Sequence, residues 1–213
     1  MLEARLLDPL VRAYRKVPDG PQPVPGENRI VLGGVSWKQF CAIDEERGPD
    51  NSRPRLYFLN EQVEMMNTSR EHERFSEGLS YMLMEYLFTT DLEIFPCGQA
   101  TMIREKQASA EPDKSWCLGE EKEFPDIVLE VVLTNGGLDR LAMYRCFPVP
   151  EVWFWRKDGL EIWHLKAGAS GYDGPARASR LLPGLDFDLV ERCVALPTWR
   201  EARRAFQRAL QPE

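Results

Sequence analysis

Two carboxylates stand out by their setting. Glu130 lies in the middle of DIVLEVVLT, a run from Asp126 to Thr134 with no other charge beyond Asp126. The β-branched richness of that run marks a strand buried on both faces. Side chains alternate along a strand, so Asp126, Val128, Glu130 and Val132 share one face, and Ile127, Leu129, Val131 and Leu133 share the other. A carboxylate in such a place is costly unless it is paired, hydrogen-bonded or bound to a metal. An ion pair with an arginine such as Arg140 accounts for it as well as a metal does. Asp126, four strand steps away, lies roughly 13 Å from Glu130, too far to share one ion. Asp113, in Glu111-Pro112-Asp113, can be brought beside Glu130 by antiparallel pairing of the preceding segment. Two hard oxygen ligands at the end of a strand pair suit Mg²⁺ or Mn²⁺, with waters and a phosphate completing the shell.

The elements that must position these residues can be read from the pattern. Ser36 precedes Trp37, Phe40, Cys41 and Ile43 at near-helical spacing, which predicts a short helix over Val35 to Glu46. RLYFL and QVEMM flank Asn60-Glu61 and predict two strands joined by a tight turn. Apolar residues recur at three- and four-residue steps from Phe75 to Leu87, predicting a long helix from Arg70 to Thr89 with Thr68 or Ser69 as its cap. Short strands follow at LEIFP, QATMIRE and DKSWCLG, ahead of the apolar strand. Asn135-Gly136-Gly137 ends that strand, and Leu138 to Phe147 returns to helical spacing. EVWFWR and LEIWHLK form a hairpin about Asp158-Gly159. The expectation is a single α/β domain.

Composition sets the outer bounds. The 213 residues are 43% hydrophobic and 29% charged, as in a globular domain with peripheral arms. Residues 1–34, with six prolines and glycines between Pro18 and Gly26, read as an extended arm. Residues 35–196 form the domain, and 197–213 read as a basic C-terminal helix whose Arg200, Arg203, Arg204 and Arg208 face solvent or phosphate. No apolar run spans a bilayer and no secretory signal is present, so a cytoplasmic location is expected and a membrane partner is not. The five cysteines are widely spaced, without a CxxC, and read as free thiols. The net charge of −7 counts against a protein that wraps nucleic acid, although a basic face can coexist with it. The aromatic residues Trp153, Phe154, Trp155 and Trp163 can be core, a base-stacking platform or the face of a homodimer.

The runs LYFLNEQVEMMNTSREHERF, AEPDKSW and PDIVLEVVLTNGGLDRLAMYRCFPVPEVWFW resemble, in order, the Uma-two family of endonucleases, a branch of the PD-(D/E)XK superfamily. The resemblance covers about Val35 to Arg192. It implies a restriction-endonuclease-like fold, a central mixed β-sheet flanked by helices, and hydrolysis of phosphodiester bonds, with DNA as the family-level substrate. By this resemblance Asp113 is the metal-binding aspartate and Glu130 the second acidic ligand. Arg140 stands where similar sequences carry a lysine that has moved from the strand, where Val132 now lies, to the next helix. Arginine cannot act as a base, and can only hold phosphate or stabilise developing charge. In Glu71-His72-Glu73, where related folds place substrate-facing residues, His72 and Glu73 are candidates for substrate binding, although acidic residues also favour a helix N-terminus without any function. The alternative function is a nuclease-fold protein without activity, acting as a nucleic-acid-binding or assembly module.

Overall fold

The computed structural model describes residues 27–47, 54–134, 137–157 and 159–210. The proline-rich stretch from Pro18 to Gly26 lies outside them. Eleven strands and five α-helices follow one another in the described residues. They are β1 (Glu27–Gly33), α1 (Trp37–Arg47), β2 (Arg55–Leu59), β3 (Gln62–Thr68), α2 (Arg70–Leu87), β4 (Ile94–Pro96), β5 (Met102–Arg104) and β6 (Ala108–Ala110). The second half holds β7 (Lys114–Leu118), β8 (Ile127–Val131), α3 (Arg140–Arg145), β9 (Glu151–Arg156), β10 (Gly159–Leu165), β11 (Tyr172–Ala176), α4 (Phe187–Val194) and α5 (Trp199–Leu210).

The strands form two sheets, in the orders β1-β3-β2-β6-β5 and β11-β10-β9-β8-β7-β4. The six-stranded sheet is mixed, because β8 and β9 run parallel while the other pairs are antiparallel. Helix α3 lies in the crossover between β8 and β9, as a parallel connection requires. The alternation along β8 separates two cores. Ile127, Leu129 and Val131 pack with α2, α4 and α5 on one face. Val128 packs on the other face with Met143 and Tyr144 of α3 and with Tyr57, Leu59 and Met66 of the five-stranded sheet. Helix α1 covers the outer face of that second sheet through Phe40, Leu56, Phe58 and Val63. Each such aliphatic or aromatic side chain, fully buried, contributes about 1.5–3 kcal/mol.

Local chemistry explains the boundaries. Ser36 and Gln39 exchange hydrogen bonds at the start of α1, a reciprocal cap. Ser69 caps α2 by accepting from the His72 backbone N–H at 3.1 Å. Asn60 and Glu61 both have positive φ, the conformation of a type I′ hairpin turn.

Three expectations need correction. Residues 27–33 are not a peripheral arm, since they pair with β3 over the full length of β1. The C-terminal helix forms, but the domain does not end at residue 196, since Ala202 and Phe206 lie in the core shared with α2 and α4. Trp153, Phe154 and Trp155 are buried within the chain, so the hairpin does not offer them as a dimer face. No described helix is long and apolar enough to cross a membrane.

Candidate functional site

The site forms where β8 ends. Lys114 pairs with Leu129 in the antiparallel β7–β8 ladder, so the next register position sets Asp113 opposite Glu130. Asp113 is fully buried. Its Oδ2 accepts from the Val131 backbone N–H at 2.6 Å, and an Arg55 guanidinium nitrogen meets Oδ1. Arg55 comes from the first residue of β2, and its other nitrogen lies 3.5 Å from Glu73. Glu73 also accepts from the Thr68 hydroxyl at 2.5 Å. Burial alone raises the pKa of Glu73, but the Thr68 hydroxyl and Arg55 outweigh this and hold it below the ordinary value.

His72 completes this side. Its Nε2 lies 3.1 Å from Asp113 Oδ2, and the side chain is fully buried. Burial first, then the Arg55 charge, depress its pKa to about 4, so the imidazole is neutral at pH 7. His72, a candidate for substrate contact, is sealed from solvent behind Asp113, and its Nδ1 lies 3.8 Å from the partly exposed Glu73. Glu73 remains partly exposed.

Glu130 shares its face of β8 with Val128, toward the five-stranded sheet. The Tyr144 hydroxyl donates to its Oε1 in a short hydrogen bond, and Arg140 Nε lies 3.7 Å away. Burial raises the Glu130 pKa, against the opposing pull of Arg140 and Tyr144. Arg140 has its main partner elsewhere: its Nη2 lies 2.7 Å from Oε1 of Glu64. Glu64 is a fully buried residue of β3. The Arg140 guanidinium also stacks on Tyr57, 3.5 Å from the ring centroid. Burial works against its charge, but Tyr57, Glu130 and Glu64 outweigh this and keep it protonated. Arg140 therefore ties the two sheets together, with Glu64 on one and Glu130 on the other.

Glu64 organises the turn before α3. It accepts from the Leu138 backbone N–H at 2.7 Å and pairs with Arg29 of β1 at 3.1 Å. Gly137 has a φ of 94°, and a Cβ there would lie 2.6 Å from a Glu64 oxygen. Only glycine fits. A pocket of about 240 Å³ opens beside these groups, lined among others by Arg29, Glu130, Arg140, Arg156, Phe154 and Trp163.

Sequence reasoning missed Arg29, Arg55, Glu64 and Tyr144. One signal was available: in QVEMM, Glu64 sits in an otherwise apolar strand, just as Glu130 does. Asp126 sits at the far end of β8, where it accepts from the Leu118 backbone N–H and pairs with Lys122, both at 2.7 Å. Among the described residues, no three or more histidine, cysteine, aspartate or glutamate side chains are grouped to hold one metal ion.

Comparison with known proteins places this arrangement in context. No curated protein matches the chain. Among solved structures, the chain is similar to "a putative nuclease belonging to DUF820" from Anabaena variabilis, with 10% sequence identity, a TM-score of 0.44, and coverage of 81% of this chain and 99% of that one. The family model of Uma2, described as "Putative restriction endonuclease", matches residues 37–189. That span includes Glu64, Asp113, Glu130 and Arg140, and the chain belongs to the Uma2 family.

Proposed function

We propose that the chain is a divalent-metal-dependent endonuclease that hydrolyses phosphodiester bonds in DNA. The observation that carries this reading is the register that sets Asp113 opposite Glu130, with Arg140 reaching toward Glu130 beside an open polar pocket. Membership of the Uma2 family supports it.

The donor chemistry fits a hard cation. Mg²⁺ commonly takes one or two carboxylates from protein and fills its other positions with water and substrate phosphate, and Asp113 and Glu130 supply that number. Bound there, the ion would polarise the phosphate and lower the pKa of a water. The chain's own residues do the rest. His72 and the Val131 N–H hold the Asp113 carboxylate in one orientation. Tyr144 does the same for Glu130. Arg140, permanently charged, holds phosphate or stabilises the charge that develops on it, and cannot take the proton from water. Arg140 in the place of a lysine makes slow turnover the expectation.

A second reading has its own support. Each carboxylate already has a cationic neighbour, Arg55 at Asp113 and Arg140 at Glu130. A self-neutralised cluster of this kind suits a nuclease fold that binds nucleic acid without cutting it.

A nicking assay on supercoiled plasmid separates the two, combined with Mn²⁺ titration followed by calorimetry. The first reading expects cleavage with Mg²⁺ or Mn²⁺ and none in chelator, and its loss in Asp113→Ala. It also expects Arg140→Lys to preserve or raise the rate and Arg140→Ala to lower it about a hundredfold, the scale of one lost transition-state donor. No Mn²⁺ binding, and no cleavage of DNA or RNA by wild type or Arg140→Lys, would leave the binding-module reading standing.

A further inference from the structure

A second concave surface lies away from the carboxylates. It is a groove of about 630 Å³ between α2 and α5, lined by Glu77, Gly78 and Tyr81 on one side and by Trp199, Arg200, Arg203, Arg204 and Gln207 on the other. Three features set it apart from an ordinary solvated helix face.

The first is charge. Helix α5 carries four arginines and one glutamate in a chain whose net charge is −7. Arg203 is spent on Glu85, at 3.0 Å. Arg200 and Arg204 are exposed and have no ion pair among the described residues. Arg208 is also exposed, and its Nε donates only to the Arg204 backbone carbonyl. These three residues recur every fourth position, so they form a column with steps of about 6 Å along the helix.

The second is aromatic exposure. Trp199 and Tyr81 retain 38% and 39% of their surface in solvent, two of the few large apolar side chains that do so. The seating of Trp199 is specific. Its indole lies where the Cβ of any residue other than glycine at position 78 would be, 2.0 Å from that point. A glycine in the middle of a helix is unfavourable by about 1 kcal/mol relative to alanine, and here it makes room for the ring. Arg74 lies over the same ring, 5.8 Å from its centroid.

The third is continuity. Helix α2 begins at the site, where His72 faces Asp113. Six residues on, or about 9 Å along the axis, Gly78 floors the groove. Between them, Glu77 takes the ammonium of Lys114, the residue after Asp113, at 2.6 Å.

Arginines interleaved with exposed aromatic rings are the chemistry of a surface that follows a single strand: charge tracks the backbone, and rings accept unstacked bases of any identity. We propose that the α2–α5 groove binds single-stranded nucleic acid and leads it along α2 to the Asp113–Glu130 site. The second half of this statement rests on the nuclease reading, and the first does not.

The test is fluorescence anisotropy of the full chain with a labelled single-stranded oligonucleotide and with the matching duplex, in chelator and over a series of salt concentrations. Wild type should bind the single strand more tightly than the duplex. The variant Arg200→Gln/Arg204→Gln/Arg208→Gln should bind at least tenfold more weakly at 0.1 M salt. The slope of log affinity against log salt should fall by about 2, since each phosphate that is no longer neutralised on a single strand takes about 0.7 from it. Trp199→Leu should weaken single-strand binding without changing the salt slope. A control variant, Lys157→Gln/Arg180→Gln/Arg192→Gln, removes three exposed charges elsewhere and should bind as wild type does. Circular dichroism confirms that each variant is folded. Equal losses in the control, unchanged affinity in the groove variant, or tighter binding of the duplex would each overturn the proposal. So would a change in molar mass by light scattering for the groove variant without a change in oligonucleotide affinity, since the groove would then join copies of the chain. Binding that follows this pattern without any cleavage upholds the groove and removes the nuclease reading; cleavage that is indifferent to the groove variant upholds the nuclease reading and removes the path from groove to site.

Discussion

Two glutamates on neighbouring strands are buried to the same degree and are treated quite differently. Glu151 of β9 is 1% exposed and Glu130 of β8 is 2% exposed, and the two strands run parallel in register. Glu151 accepts from Trp153 Nε1 at 2.9 Å, Ser179 Oγ at 2.7 Å, and the backbone N–H groups of Arg180 and Leu181 at 2.6 and 3.1 Å. Four neutral donors fill its lone pairs and pin the segment at 179–181 to the sheet. Glu130 has one neutral donor, Tyr144, and an arginine that is turned mainly toward Glu64. It also lines a pocket. A buried carboxylate with a saturated shell organises structure, whereas one with spare valence beside open space can take a ligand. Burial alone does not distinguish them. The number and the kind of donors do.

The largest test of this contrast is removal of the saturated residue. Glu151→Ala leaves an indole N–H, a hydroxyl and the Arg180 backbone N–H without their acceptor, each worth about 1–3 kcal/mol when stranded, while the Leu181 N–H keeps the Ser179 hydroxyl. The expected loss is roughly 3–5 kcal/mol, on the scale of breaking a buried polar network, read by urea denaturation. Cleavage per folded molecule should be unchanged. A stable Glu151→Ala protein would break the comparison, because Glu151 would not then be an organiser.

Glu130→Gln should do the opposite. The amide oxygen still accepts from Tyr144, and Arg140 keeps Glu64. Because burial holds the Glu130 pKa above its unfolded value, the ionised form costs stability above the ordinary carboxylate range. That cost is relieved as pH falls through the raised pKa, and glutamine removes it at every pH. Stability at pH 7 should therefore change by no more than about 1 kcal/mol in either direction, while cleavage and Mn²⁺ binding are lost. If calorimetry shows Mn²⁺ bound as tightly by Glu130→Gln as by wild type, Glu130 is not a ligand.

The contrast also shows how much of the molecule a linear reading can reach. The two faces of β8, the turn at Asn60-Glu61 and the cap of α2 depend on neighbours within a few residues, and alternation, turn chemistry and capping expose them. Glu27–Gly33 escaped because its pairing is with the free edge of β3, some forty residues on, and nothing local in ENRIVLG says so. Strand β6 is Ala-Ser-Ala, too short and too bland to carry a period. The site follows the same rule. The setting of Glu130 was visible in its own strand, but its neighbours Glu64 and Arg55 come from the other sheet. Arg140 was expected beside Glu130, and takes as its main partner a residue 76 positions earlier. Glu64, between Val63 and Met65 in β3, shows that a lone carboxylate among apolar strand residues is worth following wherever it occurs.

The smallest effects give the sharpest version of the comparison, since they remove one hydroxyl donor from each glutamate. Ser179→Ala takes a hydroxyl from Glu151, which keeps three other donors. Tyr144→Phe takes a hydroxyl from Glu130, which keeps none of the neutral kind. Each lost hydrogen bond to a charged group costs about 1.5–3 kcal/mol, and Ser179→Ala also takes the acceptor from the Leu182 N–H, so thermal melts should place Ser179→Ala at or below Tyr144→Phe. Their chemistry should differ. With three donors left, the Glu151 carboxylate does not move, and Ser179→Ala should cleave plasmid at the wild-type rate. Without Tyr144, Glu130 is held only by Arg140 at 3.7 Å, and its carboxylate is free to turn. Misplacing a ligand by about 1 Å is enough to lower a rate a hundredfold. Tyr144→Phe should therefore lower kcat by about ten- to a hundredfold and weaken Mn²⁺ binding, although it is no less stable than Ser179→Ala. Equal kcat values for the two variants would mean that the orientation of Glu130 does not matter to the chemistry, and that both glutamates are there to hold the fold.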